Sequence, residues 1–424
     1  MNAQAGQVRK RRVFHIPGYD PFHPRRYREL YRTEGAAQAK ISGYEIGVKA
    51  ETSETSFRWT VGARIAGQPV MSQIDVLVWS DIVRDSMAQS IPATYLQLVQ
   101  TAWTYISTGT LRRLMWMRKG PVIAALYPAV MLLSQLALAI GIGSWLGGFV
   151  ESVGQGGLAS IGFPEGAVFT GIIWGLWALG WLVMAVVVVA ILRWFKARDN
   201  RLFAYYLMHD YAYSAQLRGQ TPPALAARMK EFQTLIAAAL AEDVDEVLVV
   251  GHSSGAHLAV SILADLLRSG RVPKGGPALA FLSLGQVVPM VSFLPRAREL
   301  RRDLAVLSAS DKLTWVDVSA PGDGCCFALC DPVAVSGVAP DNKRWPLVIS
   351  AAFTQSLTPA RWKALRWRFF RLHFQYLCAF DRPKDYDYFQ ITAGPMTLGA
   401  RYAGRKPSGS RIDVPVSKYT AQAS

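Results

Sequence analysis

Charge is absent from two long stretches of this 424-residue chain: residues 120–150 and 166–192 hold no Asp, Glu, Lys or Arg. About 20 apolar residues suffice to cross a bilayer, so two transmembrane helices are expected, near residues 122–143 and 168–192. The segment "IIWGLWALGWLVMAVVVVAIL" is apolar on every face, unlike a helix that buries one stripe on a soluble core. Two buried helices of one large soluble core are the alternative. Cysteine is scarce. Of four, Cys325, Cys326 and Cys330 lie in "CCFALC" and Cys378 stands apart, which excludes a dense disulfide framework. No Cys-x-x-Cys pair or neighbouring histidine completes a metal motif, and the cysteines read as small buried hydrophobes. The N-terminus, "MNAQAGQVRKRRVFHIPGYDP", is basic but lacks the apolar core of a secretory signal. No zinc-finger, RNA-recognition or helix-turn-helix signature is present.

What is abundant fits lipid. Hydrophobic residues make up 51% of the chain, and the mean hydropathy of +0.17 is high for a soluble protein. The net charge of +16 lies largely beside apolar and membrane-flanking segments. Anionic headgroups account for it better than nucleic acid, at roughly 1 kcal/mol per Lys or Arg near the surface. Arg112, Arg113, Arg118 and Lys119 precede the first apolar stretch, and Arg193, Lys196, Arg198 and Arg201 follow the second. The connection, about residues 144–165, carries Glu151 and Glu165 and no Lys or Arg. The positive-inside tendency then places both long flanks in the cytoplasm. The expectation is a two-pass integral protein of the inner or plasma membrane, in contact with lipid and of unassigned oligomeric state.

The flanks themselves read as one alternating strand-and-helix domain. "RRVFHIPG", "YEIGV", "FRWTVGARIAG" and "SQIDVLVWSDIV" are strand-like before the membrane segment, and "EVLVV", "ALAFLSLGQ", "LTWVDVS" and "WPLVISAAF" after it. This alternation predicts an α/β fold with a mostly parallel sheet and helices on both faces. "ATYLQLVQTAWTYISTGTLRRLMWM" is expected to lie on the membrane surface, residues 199–219 form a polar connector, and a helix begins near Thr221-Pro-Pro. The expected organisation is residues 1–95 and 206–400 as two parts of one domain, 96–205 as a membrane insertion, and 401–424 as a mobile tail.

The sharpest signal is "VLVVGHSSGAHLAV", residues 247–260. A continuous apolar strand meets Gly-His-Ser-Ser-Gly and resumes as a helix of small residues. Gly251 and Gly255 permit a turn too tight for side chains, which projects Ser253 beyond the strand. The amide of Ser254 faces the same point. A plain serine in a glycine-flanked loop is the bland alternative. The stretch resembles the nucleophile elbow of the α/β-hydrolase superfamily, whose position after the first glycine is often histidine, as His252 is here. The likeness covers roughly residues 12–80 and 220–395, and implies a serine nucleophile, an acid and a histidine in that chain order, with no cofactor and no metal.

In that superfamily an early loop supplies a second oxyanion donor. Here it is "HIPGY", in which Pro17 has no N–H, so Gly18 or Tyr19 must donate. The acid follows the second strand beyond the elbow. Asp323 in "PGDG" fits, Asp331 competes, and Asp317 falls within the strand. His373 alone follows both Ser253 and Asp323, although "RWKALRWRFFRLHFQYLCAF" has helical spacing and the resemblance implies a loop histidine. His257, His209 and His15 are the other choices. The implied activity is esterase, lipase or thioesterase chemistry on an acyl substrate. A non-catalytic membrane scaffold that keeps the fold is the alternative, and an acyltransferase is a third use of the same residues.

Overall fold

The computed structural model describes residues 6–51 and 57–423. The chain forms two compact units, Met1–Ser86 with Ala102–Ala124 and Tyr213–Ser424, and Met87–Thr101 with Ala125–Ala212.

The first unit is mixed α/β around an eight-stranded sheet, with β1 (Lys10–Ile16), β2 (Glu45–Ala50), β3 (Phe57–Ile65), β4 (Gln68–Val76), β5 (Glu246–His252), β6 (Ala278–Leu284), β7 (Leu313–Ser319) and β8 (Leu347–Ser350). Their spatial order is β2-β3-β4-β1-β5-β6-β7-β8. Five neighbouring pairs are parallel; β2–β3 and β3–β4 are antiparallel. The antiparallel part has a local cause. Ala66 and Gly67, the only residues between β3 and β4, have φ of 52° and 75°, and two left-handed residues make the tight turn that closes a hairpin. So short a link cannot carry a parallel crossover. β1 and β5 lie at the centre and are buried along almost their whole lengths, as strands covered on both faces must be.

One sheet face is covered by Tyr27 and Tyr31 of the helix Arg25–Ser42 together with the C-terminal residues Leu372, Tyr376, Phe380 and Phe389. Against the other pack the helices Pro223–Ala239, Gly255–Arg268 and Arg298–Ala309. From β1 the chain moves to one side of the sheet, and from β5 to the other. The carboxyl ends of these two strands therefore flank a point where the winding reverses, the usual crevice of open α/β sheets.

At the opposite end of the same strands Arg11 faces Glu246 in register, at 2.6 Å with both side chains fully buried. The Arg11 guanidinium also donates to the Gly394 and Met396 carbonyls, and Glu246 accepts from the Leu398 amide. This pair ties the C-terminal region to the central strands. Of residues 401–424, expected as a mobile tail, the described residues 401–423 are fastened by backbone bonds: Ile412 to Leu329, Asp331 to Ile412, Val416 to Val335 and Ala423 to Arg298.

The second unit contains most of two helices long and apolar enough to cross a membrane, Lys119–Ser160, whose start as far as Ala124 lies in the first unit, and Ala167–Ala197. They run antiparallel, with Gly143 against Met184, Gly147 against Gly180 and Gly154 against Leu176. A Cβ at Gly147 would lie 2.4 Å from the Gly180 carbonyl oxygen, so small residues set this approach. Much of their apolar surface faces outward, including Trp174, Trp177 and Trp181. The connection is shorter than the sequence suggests. Residues 144–160 contain no proline and stay helical, leaving 161–166, with Gly162 at φ 61° and Pro164, to reverse the chain. Residues 199–219 are also largely helical, as Asp199–Leu202 and Ala204–Ala215.

Glu246→Ala leaves the buried Arg11 without its carboxylate and is expected to destabilise the first unit by about 3–5 kcal/mol. Thermal unfolding of the full chain in detergent checks this. An unchanged midpoint contradicts the structural role given to the pair.

Candidate functional site

Ser253 occupies the reversal between β5 and the helix Gly255–Arg268, with φ of +55°. This left-handed conformation is strained for a residue with a side chain, so the surroundings must impose it. They do so through backbone contact. A Cβ at Gly255 would lie 2.1 Å from the Ile16 carbonyl oxygen, and one at Gly251 would lie 2.8 Å from Gly255 O and Ala256 Cα. The Ser253 amide donates to Leu284 O at 2.9 Å, across to the end of β6. Gly18 reaches the same place, where a Cβ would stand 3.0 Å from Ser253 Cβ and 3.4 Å from its Oγ. Among the described residues, the Ser253 hydroxyl and the Gly18 and Ser254 amides have no hydrogen-bond partner. The Tyr19 side chain has its hydroxyl against Ser86 Oγ and its ring near Trp79, which leaves its backbone amide as the donor alternative to that of Gly18.

Asp323 and His373 come together although 50 residues separate them. Asp323 stands in the loop after β7 and is buried, and its Oδ2 lies 2.7 Å from His373 Nδ1. An ionised carboxylate only accepts, so Nδ1 carries a proton, and in the neutral imidazole this leaves the lone pair on Nε2. That Nε2 is buried and has no partner. Burial raises the Asp323 pKa, but His373 and the Cys325 amide, with the Cys326 thiol, outweigh it and hold the carboxyl below its usual range. Tyr376 donates to the same Oδ2 at 3.0 Å while accepting from Ala320 N–H. Burial and the Asp323 charge keep its phenol protonated.

The segment carrying His373 is neither a continuous helix nor a strand. It breaks into Pro359–Leu365 and the five-residue turn Phe369–His373, followed by a 3₁₀ turn, Phe374–Leu377. Two residues of the serine turn's neighbourhood hold it. His252 Nε2 donates to the His373 carbonyl at 3.0 Å, with ring centroids 4.7 Å apart, and burial first, then the nearby His373, keeps His252 neutral. Gly285, adjacent to the Leu284 that accepts from Ser253, gives room to the imidazole: a Cβ there would lie 3.1 Å from His373 Cε1.

The other choices have different surroundings. Asp331 caps the helix Pro332–Val335 and binds Lys343 at 2.6 Å. His15 is buried on β1 beside Tyr27, and burial lowers its pKa to about 3. His257 is depressed to about 4 by burial alone, and His209, in the second unit, bonds Gln97. Asp317 is fully buried inside β7, accepts from Ser283 Oγ at 2.6 Å, and has no partner on Oδ2. Burial pushes its pKa up to about 7.

Sequence reading missed Tyr376 and the backbone role of His252, because each depends on a turn conformation with no periodic signal. It also set the cysteines apart from histidine, whereas folding brings His373 to Cys325. Asp323, Cys325 and His373 offer ligand atoms within 4.8 Å of one another, although the imidazole and carboxylate already bond each other. No family model, curated protein or solved structure matches this chain.

Asp317 generates a pH prediction. Its folded pKa lies above the ordinary carboxyl value, so the folded state holds more protons and stability falls as pH rises from about 4 to 7. Asp317→Asn keeps the acceptor for Ser283 and removes the titration. Melting temperatures measured across that window should drop less for the variant than for the wild type; parallel curves contradict the assignment.

Proposed function

We propose that this protein is a membrane-anchored serine hydrolase that cleaves an ester or thioester of an acyl lipid. The observations that carry the reading are the Asp323–His373 hydrogen bond, which leaves Nε2 bare, and Ser253 held in a strained turn with two unused backbone donors; Ser253 and His373 make no hydrogen bond with each other. In this reading His373 Nε2 takes the Ser253 hydroxyl proton as Oγ attacks the acyl carbonyl. Asp323 fixes the tautomer and stabilises the imidazolium, and Tyr376 in turn positions Asp323. The amides of Gly18 and Ser254 receive the developing oxyanion. The proton passes to the departing alcohol or thiol, and water attacks the acyl-serine by the same route. The two long apolar helices support a lipid substrate and a two-pass anchor, and their basic flanks support a cytoplasmic site.

Hydrolysis of p-nitrophenyl esters by the full chain in detergent tests the proposal. Ser253→Ala and Asp323→Asn should each lower kcat/KM by about 10³-fold or more. Tyr376→Phe removes the hydrogen bond to the Asp323 charge, together with the one accepted from Ala320 N–H, and should cost about tenfold, in kcat rather than KM. Chelators should leave the rate unchanged. Activity that survives Ser253→Ala sinks the mechanism, and activity lost to chelation and restored by zinc favours a metal centre at Asp323, Cys325 and His373. Folded wild type without activity on any ester or thioester favours the scaffold alternative.

A further inference from the structure

The segment just before His373 is unusual in what it leaves uncovered. Trp367 is 72% exposed and Phe369 48%, on a run, Arg366-Trp-Arg-Phe-Phe-Arg371, in which Arg366, Arg368 and Arg371 are exposed as well. None of these arginines has a carboxylate partner among the described residues. Residues 359–377 contain no Asp or Glu, nor do residues 110–124. A soluble surface usually mixes both signs and keeps large aromatic groups scattered. Here basic and aromatic residues alternate without an acid.

The two acid-free stretches meet on the acid loop. Phe369 packs beside Gly324, where a Cβ would lie 3.4 Å from its ring, and Gly120 approaches the same glycine, with a Cβ 3.2 Å from Gly324 Cα. Arg118 anchors this end of the chain by donating to Ala328 O at 2.7 Å. Gly120 is the second residue of the 42-residue apolar helix, and just upstream stands Trp116, 65% exposed, with the Arg112 guanidinium 5.2 Å from its ring. If that helix enters a bilayer, chain continuity brings the headgroup region to residues 112–120 and to the loop of Asp323.

We propose that residues 366–371, with Trp116, form a docking face for an anionic lipid surface, which seats the rim of the Asp323–His373 site among the headgroups. The inference builds on the reading of the long helices as membrane spans. The occupant is identified by charge complementarity and by aromatic groups suited to the interface. A lipid ester would then reach Ser253 from the bilayer without crossing bulk water.

The test uses the full chain in nanodiscs of phosphatidylcholine with or without phosphatidylglycerol. An environment-sensitive fluorophore is placed on Trp367→Cys, and its quenching by lipid-borne quenchers is measured, with labelled wild type as the blank. Asp243→Cys, 97% exposed and beyond the other end of β5, is the water-facing control, and Trp177→Cys reports insertion of the long helix. The expected result is strong quenching at 367 in anionic discs, falling by about half or more with Arg366→Gln, Arg368→Gln and Arg371→Gln together. Quenching at 177 but only control-level quenching at 367 overturns the docking face and leaves the spans intact. No quenching at either position removes the membrane reading itself. Equal quenching at 367 in discs with and without anionic lipid overturns the charge-based choice of surface.

Discussion

Backbone-to-backbone contact at one turn sets the geometry of everything around it. Between β1 and β5 the chain has space for main-chain atoms and nothing larger: Gly255 lies under the carbonyls of Ile16 and Pro17, and Gly251 under the start of the following helix. This is why Ser253 takes a positive φ, and why the loop holding Gly18 reaches it. Strain of this kind costs about 1–3 kcal/mol and persists only where the surroundings over-determine it. Here the parallel pairing of β1 with β5, the buried Arg11–Glu246 pair and the register with β6 supply that determination.

The second half of the site is assembled by loops rather than strands. Asp323 follows β7, His373 follows β8 at a distance, and both are held by groups that are themselves bonded: Tyr376 between Ala320 and Asp323, and His252 on the His373 carbonyl. A bare imidazole nitrogen in a buried setting is expensive unless it has a use. The arrangement supports the proposed proton transfer because the same hydrogen bond that orients the ring also fixes which nitrogen is free.

How much of this was legible in the sequence follows from the range of the interactions involved. The turn at Ser253 was legible because strand, glycines and helix are adjacent in the chain, and the two apolar helices because hydropathy is a local property. The sheet was legible as α/β, but the β2–β4 meander was not, although the two-residue link "AG" between β3 and β4 already excludes a crossover. The helix continuing to Ser160 was masked by its own composition, since glycines and one glutamate look like a loop when lipid or a partner helix is not considered. The pairing of Asp323 with His373 and the surroundings of His373 depend on contacts across tens of residues. Periodicity carries no such information: the helical spacing of 362–376 reflects two short turns and a break at Trp367 and Arg368.

The most direct test of the account is the site of covalent modification by a fluorophosphonate. The full chain in detergent is treated with the reagent, digested and mapped by mass spectrometry. The account predicts a single major adduct on Ser253, absent when the protein is denatured before treatment. A folded protein that remains unmodified, or one modified mainly at another residue, contradicts it.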